Sequence, residues 1–199
     1  MKTFLELQED HAGKNLHLEH LEDEIINNGV AGGRAAINFL QSLRDMLSGS
    51  ARSSVNMTVK WDGAPAIFAG TDPEDGAFFV AKKGIFAKTG AKVYKSNADI
   101  DAELSGDLAD KMKLALQYLP ELGIKGVIQG DFLYANNDLK REKIDGQQYV
   151  TFHPNTIIYA VPMSQSKTIE DAKIGIVWHT SYKGDKFENM KASYGVDVS

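Results

Sequence analysis

Met57-Thr58-Val59-Lys60-Trp61-Asp62-Gly63-Ala64-Pro65-Ala66-Ile67-Phe68-Ala69-Gly70 is the stretch on which the fold turns. Val55, Met57 and Val59 alternate with Asn56, Thr58 and Lys60, the period of two that makes a strand and delivers Lys60 at its end. Gly63 and Pro65 break the pattern and Ala66 to Ala69 resume an apolar run, so the stretch reads as strand, tight turn, strand. Lys60 and Asp62 then stand together at a bend, beside a backbone that Gly63, lacking a side chain, opens to a ligand.

Outward from this bend, Thr71-Asp72-Pro73-Glu74-Asp75-Gly76 is a hairpin turn and Ala77 to Ala81 a buried strand, so residues 55 to 86 read as an antiparallel meander. Further on, Val127-Ile128 and Phe132-Leu133 flank Gln129-Gly130-Asp131, a strand interrupted by a glycine that marks a bulge or a close backbone approach. Asn136 to Gln148 reads as a loop or a hairpin through Asp145-Gly146, followed by β-rich Tyr149 to Phe152, Thr156 to Pro162 and a last strand, Lys173 to Gly184. Met190 to Ser199 adds no closing element.

Helical spacing appears in two places. After the turn signal Asn27-Asn28-Gly29, a helix from Gly33 carries Ile37, Leu40, Leu43 and Leu47 as a stripe to bury against a sheet, and Ser48-Gly49-Ser50 stops it. Leu108, Met112, Leu116 and Leu119 mark the second, with Asn97, Asp99 and Ser105 as caps. The expected class is α+β: antiparallel β-sheets flanked by helices, in a single domain over 1–199 with a helical part at 1–50 and a sheet core at 51–199.

With 199 residues, 43% hydrophobic and 25% charged, the composition is that of an ordinary globular domain. Cysteine is absent, which rules out disulfides and thiolate metal sites and points to a cytoplasmic protein. No apolar run approaches the roughly 20 residues that span a bilayer, so no membrane partner is expected. A net charge of −5 argues against a nucleic-acid binder working through bulk charge, but Lys82, Lys83, Lys88, Lys92 and Lys95 form a local positive patch. His17 and His20 share a helix face without a third ligand, so they read as solvated and no protein metal site is assigned.

Lys60-Trp61-Asp62-Gly63 resembles the K-x-D-G signature of the covalent nucleotidyltransferases, the superfamily of ATP-dependent DNA ligases, RNA ligases and mRNA capping enzymes. The resemblance implies that Lys60 attacks the α-phosphorus of ATP, with Asp62 as its catalytic companion, Mg²⁺ neutralising charge, and a lysyl-AMP intermediate passing to a 5′-phosphorylated nucleic-acid end. Ala81-Lys82-Lys83-Gly84 is similar to the family's basic strand, so Lys82 and Lys83 would meet phosphates, while Thr58, Val59 and Gly63 line the nucleotide. Gln129-Gly130-Asp131 resembles the strand whose acid contacts the ribose, here Asp131, and Tyr159 is the best match for the aromatic that stacks on the purine, with Phe152 second.

The likeness covers residues 55 to 161 and fails beyond them. Ile174 stands where the family's metal-binding acid belongs, Lys183 lies too close to Tyr159 for the Lys-x-Lys pair, and His179 reads as core. One account is that the chain is a C-terminally truncated piece of a longer enzyme. The alternative is a non-catalytic phage accessory or interaction protein, or a nucleotide-binding module, that keeps the fold and uses Lys60 and Asp62 as an ion pair. Nearly the full length also resembles a group of proteins from large tailed phages of marine cyanobacteria, which would place it in the host cytoplasm but supplies no activity.

Overall fold

The computed structural model describes residues 21–50, 61–87, 90–194 and 196. The chain divides into two units, Met1–Val59 and Lys60–Ser199. His17, His20, Lys88 and the expected strand at 55–60 lie outside the described residues.

The first unit holds helix α1, Leu21–Leu47, two helical segments that meet across a non-helical Gly29 (φ 53°, ψ −128°), where the Asn27-Asn28-Gly29 turn signal falls. Gly32 packs against the Glu24 carbonyl across that break, a place where any Cβ would collide with backbone. Within this unit the described helix buries Glu24, Gly32 and Ala36, while Ile37, Leu40 and Leu47 of the expected stripe are 56%, 50% and 71% exposed and Leu43 is half-buried.

The second unit is built on a six-stranded antiparallel sheet. Its strands are β1 (Ala66–Thr71), β2 (Phe78–Ala81), β3 (Val93–Tyr94), β4 (Val127–Ala135), β8 (Ile174–Lys183) and β9 (Lys191–Tyr194), in the spatial order β3-β2-β1-β4-β8-β9. Helices α2 (Asn97–Glu103) and α3 (Gly106–Tyr118) cover one face, where Ile67, Ala69, Val80 and Ile128 meet Ile100, Ala109, Met112 and Ala115. On the other face Phe68 meets Phe86 and Tyr182, and Phe79 meets Phe187. Cover on both faces explains why the central strands read as continuous apolar runs instead of alternating ones.

Several expectations change here. β4 is one continuous strand: Gly130-Asp131 does not interrupt it, and the irregularity is a register shift against β8 between Gln129 and Gly130. The α3 stripe is rotated by one position, with Ala109 and Ala115 fully inside and Leu108 and Leu116 partly buried, because small residues let the helix approach the sheet closely. Ser96, not Asn97 or Asp99, caps α2, and Asp99 returns the bond to the Ser96 N–H as a capping box. The C-terminal stretch does contain a closing element, β9, paired to β8.

A second sheet of three strands, β5 (Lys140–Ile144), β6 (Gln147–Phe152) and β7 (Tyr159–Pro162), follows the 3₁₀ turn Asn136–Asp138. Asp145 (φ 49°) and Gly146 (φ 85°) make the two-residue turn between β5 and β6, the hairpin alternative of the sequence reading. β5 is an edge strand carrying Lys140, Arg141, Glu142 and Lys143, charges that discourage pairing with another chain.

The lysine patch is partly neutralised. Lys95 Nζ lies 2.6 Å from Asp72 Oδ2 and 2.7 Å from Asp75 Oδ2, tying the β1–β2 turn to the start of α2, and Lys92 pairs with Glu103. The Lys95 ammonium is raised above its ordinary value, first by the hydrogen bond to Asp72 and then by that to Asp75, and the Asp75 carboxyl is lowered, first by Lys95. A raised lysine contributes stability that is present at neutral pH and lost as pH climbs through its folded value. The lowered Asp75 contributes stability present above its unfolded value and lost on acidification through its folded one. Lys95→Met leaves the buried Asp72 carboxylate without its cation and should lower the melting temperature by roughly 5 °C at pH 7. Thermal melts should show the gap from wild type narrowing both below the carboxylate range and above the lysine range; a pH-independent gap would refute the ionic account.

Candidate functional site

Residues 61–65 carry no regular structure but continue the β1–β4 pairing beyond Ala66↔Asp131. The Ala64 N–H donates to the Phe132 carbonyl and the Phe132 N–H to the Pro65 carbonyl, each at 3.0 Å. Gly63 lies flat against β4: a Cβ there would stand 2.6 Å from Phe132 O and 3.1 Å from the Asp131 Cβ. The close approach expected at Gly63 is made by β4 backbone, which seats the loop on the sheet. Gly63→Ala should cost about 2 kcal/mol through that overlap and red-shift the tryptophan emission as Trp61 is displaced. A melt and spectrum matching wild type would show that the loop is not seated this way.

Asp62 and Tyr159 meet although 97 residues separate them. The Tyr159 hydroxyl accepts from the Asp62 N–H at 2.9 Å and donates to the Asp62 carbonyl at 2.8 Å, while Asn155 Nδ2 donates to Asp62 Oδ2 at 2.6 Å. Asn155 is itself oriented by the Ile157 N–H, which donates to its Oδ1 at 2.7 Å. With Oδ2 given to Asn155, the Asp62 carboxylate serves first to fix this loop against the β6–β7 connection.

The rings of Tyr159 and Trp61 stack with centroids 5.0 Å apart, and those of Tyr159 and Phe152 at 5.2 Å, both within about 25° of parallel. Tyr159 is thus in ring contact with both Trp61 and Phe152, at the position expected to stack on a purine. Phe152 continues the series to Tyr134 at 4.8 Å and is itself buried, so it cannot serve as the second choice. The stack runs from the buried Tyr134 and Phe152 outward to Trp61, which is 42% exposed.

Asp131 sits on β4 level with Ala66 and Val177, its side chain 9% exposed and its Oδ1 3.9 Å from His179 Nε2. His179 was expected in the core; the register shift in β4–β8 turns it toward Asp131, and its Nδ1 lies 2.7 Å from Thr180 Oγ1. No residue spacing could have announced this pairing, since it depends on one extra residue in β8. Below it the Tyr182 hydroxyl donates to Gln129 Oε1 at 2.6 Å, a buried polar contact that fixes the floor. β2 ends at Ala81, paired with Phe68, so half-buried Lys82 and exposed Lys83 leave the sheet at the same end as Gly63 and Asp131. Among the described residues neither lysine has an ionic partner. Thr58, Val59 and Lys60 lie outside the described residues.

Residues 15–199 match DUF6267, described as a family of unknown function. The chain belongs to this family. No curated protein and no solved structure matches. For this DUF6267 chain, then, the chemistry must be read from the side chains themselves. Among the described residues no helix is long and apolar enough to cross a membrane, and no three His, Asp or Glu side chains converge as a metal site would need.

Proposed function

We propose that the protein is a nucleotidyltransferase of the nucleic-acid ligase kind, with Lys60 as nucleophile. The observation that supports this reading is convergence. Asp131 and the Lys82-Lys83 pair lie at the end of the sheet where the segment after Lys60 joins β1, and Tyr159, from the second sheet, bonds to Asp62 of that segment.

In this reading the neutral Lys60 amine attacks the α-phosphorus of ATP, an N–P bond forms, the P–O bond to the β-phosphate breaks, and pyrophosphate leaves while the amine proton passes to solvent. Lys82 and Lys83 neutralise phosphate charge as point cations, without the bidentate fork an arginine would add. Asp131, beside His179, accepts from a ribose hydroxyl. The AMP then passes to a 5′-phosphorylated nucleic-acid end. The described residues do not build a resident Mg²⁺ site, so the cation enters the assay as the counter-ion of ATP and no step is assigned to it.

Incubation with ATP labelled at the α-phosphate, followed by denaturing electrophoresis, tests the reading. It predicts label that survives denaturation, is lost in acid as a phosphoramide is, and is chased by pyrophosphate. Absence of label across ATP and GTP would reject transfer, and ATP-dependent thermal stabilisation without label would favour the nucleotide-binding module instead.

A further inference from the structure

We propose that the outer face of Trp61 is a stacking platform for a nucleobase. An indole is the largest apolar side chain a protein can bury, and this one is left 42% exposed at the end of a ring stack. One side of it lies on Tyr159, no other ring among the described residues contacts it, and the residue is left largely exposed. The exposure is not slackness. Tyr159 is backed by Phe152 and bonded twice to the main chain of Asp62, the residue next to Trp61, and Asn155 holds the Asp62 carboxylate. The indole is thus fixed before any ligand arrives, and a flat ring docking on it forfeits little side-chain entropy.

The chemistry favours a base over other flat or apolar partners. The platform is one rigid aromatic plane, not a cage, and every base offers a π-face of matching size. Trp61 is the residue next in sequence to Lys60, the proposed nucleophile. The choice of a base rests on the nucleotide reading above; the exposed, braced indole does not. The base can belong to the nucleoside triphosphate or to the strand end.

Trp61 fluorescence tests this in three titrations: with AMP, with a 5′-phosphorylated single-stranded oligonucleotide, and with an abasic strand of equal length. Quenching is expected from AMP, from the oligonucleotide or from both, and not from the abasic strand; AMP quenching assigns the base to the nucleotide, and quenching by the oligonucleotide alone assigns it to the strand. Trp61→Leu should weaken the quenching ligand about tenfold or more, read by thermal shift or anisotropy, while Trp61→Phe should stay within about threefold. Equal quenching by the abasic strand, no quenching by either base-bearing ligand, or unchanged affinity in Trp61→Leu overturns the proposal. The comparison with the abasic strand uses only wild-type protein, so it holds even if a variant fails to fold. Covalent label without base-dependent quenching would sink the platform and leave the transfer reading standing; quenching without label would do the reverse.

Discussion

Replacing Lys60 with arginine should reduce covalent nucleotide labelling about a thousandfold or more, with ATP binding retained. The substitution keeps a cation at the position, so whatever attraction Lys60 exerts on phosphate is preserved. What it removes is the capacity to lose a proton: a guanidinium stays charged at any pH a folded protein tolerates, and no lone pair becomes available to form the N–P bond. An ordinary lysine, with a pKa of about 10.4, must be depressed to react near neutrality, so the wild-type rate should rise with pH until the amine is fully neutral. Label measured on denaturing gels and ATP-induced thermal shift, side by side, separate the two effects. Label persisting in Lys60→Arg would place the nucleophile elsewhere. Loss of both label and binding would show that Lys60 acts as a phosphate anchor.

Gly130→Ala should be strongly destabilising, at about 4 kcal/mol and a melting temperature lower by roughly 10 °C. A Cβ at Gly130 would run into the Val177 carbonyl and come 2.8 Å from Trp178 Cε3. Backbone on one side and a packed indole on the other leave no flexible side chain to give way. Relief would require β4 and β8 to part at the very register shift that turns His179 toward Asp131. The variant should therefore lose both stability and any activity that needs Asp131, measured by thermal melt and by labelling below the lowered melting temperature. A melt within 2 °C of wild type would mean that the strands do not pack this closely.

The periodicity of the chain was enough for much of the second unit. Ala66 to Ala69, Phe78 to Ala81, Leu108 to Leu119 and the Asp145-Gly146 turn each declare their element locally, because strand, helix and hairpin signals need only near neighbours. Gly130 likewise announced a close approach. Where the local signal misled, the cause was tertiary. The Ile37, Leu40 and Leu47 stripe has helical spacing whether or not anything covers it, and its own unit does not bury it. β4 absorbs Gly130-Asp131 without a break because its neighbours on both sides complete its hydrogen bonds.

By itself, then, the sequence determined that this is an α+β chain of antiparallel strands and helices, and it singled out Lys60, Asp62, Asp131 and Tyr159 as the residues to watch. Only the tertiary structure decided how the described members of that set are used: Tyr159 is in ring contact with both Trp61 and Phe152, Asp62 is held by Asn155, Asp131 faces His179, and Trp61 is the ring left largely exposed. The physical reason is that a residue's type and spacing set which bonds it can make, whereas which of them it does make depends on partners up to 97 residues away. Those partners arrive through strand register, and a one-residue shift in register changes the face on which a side chain stands.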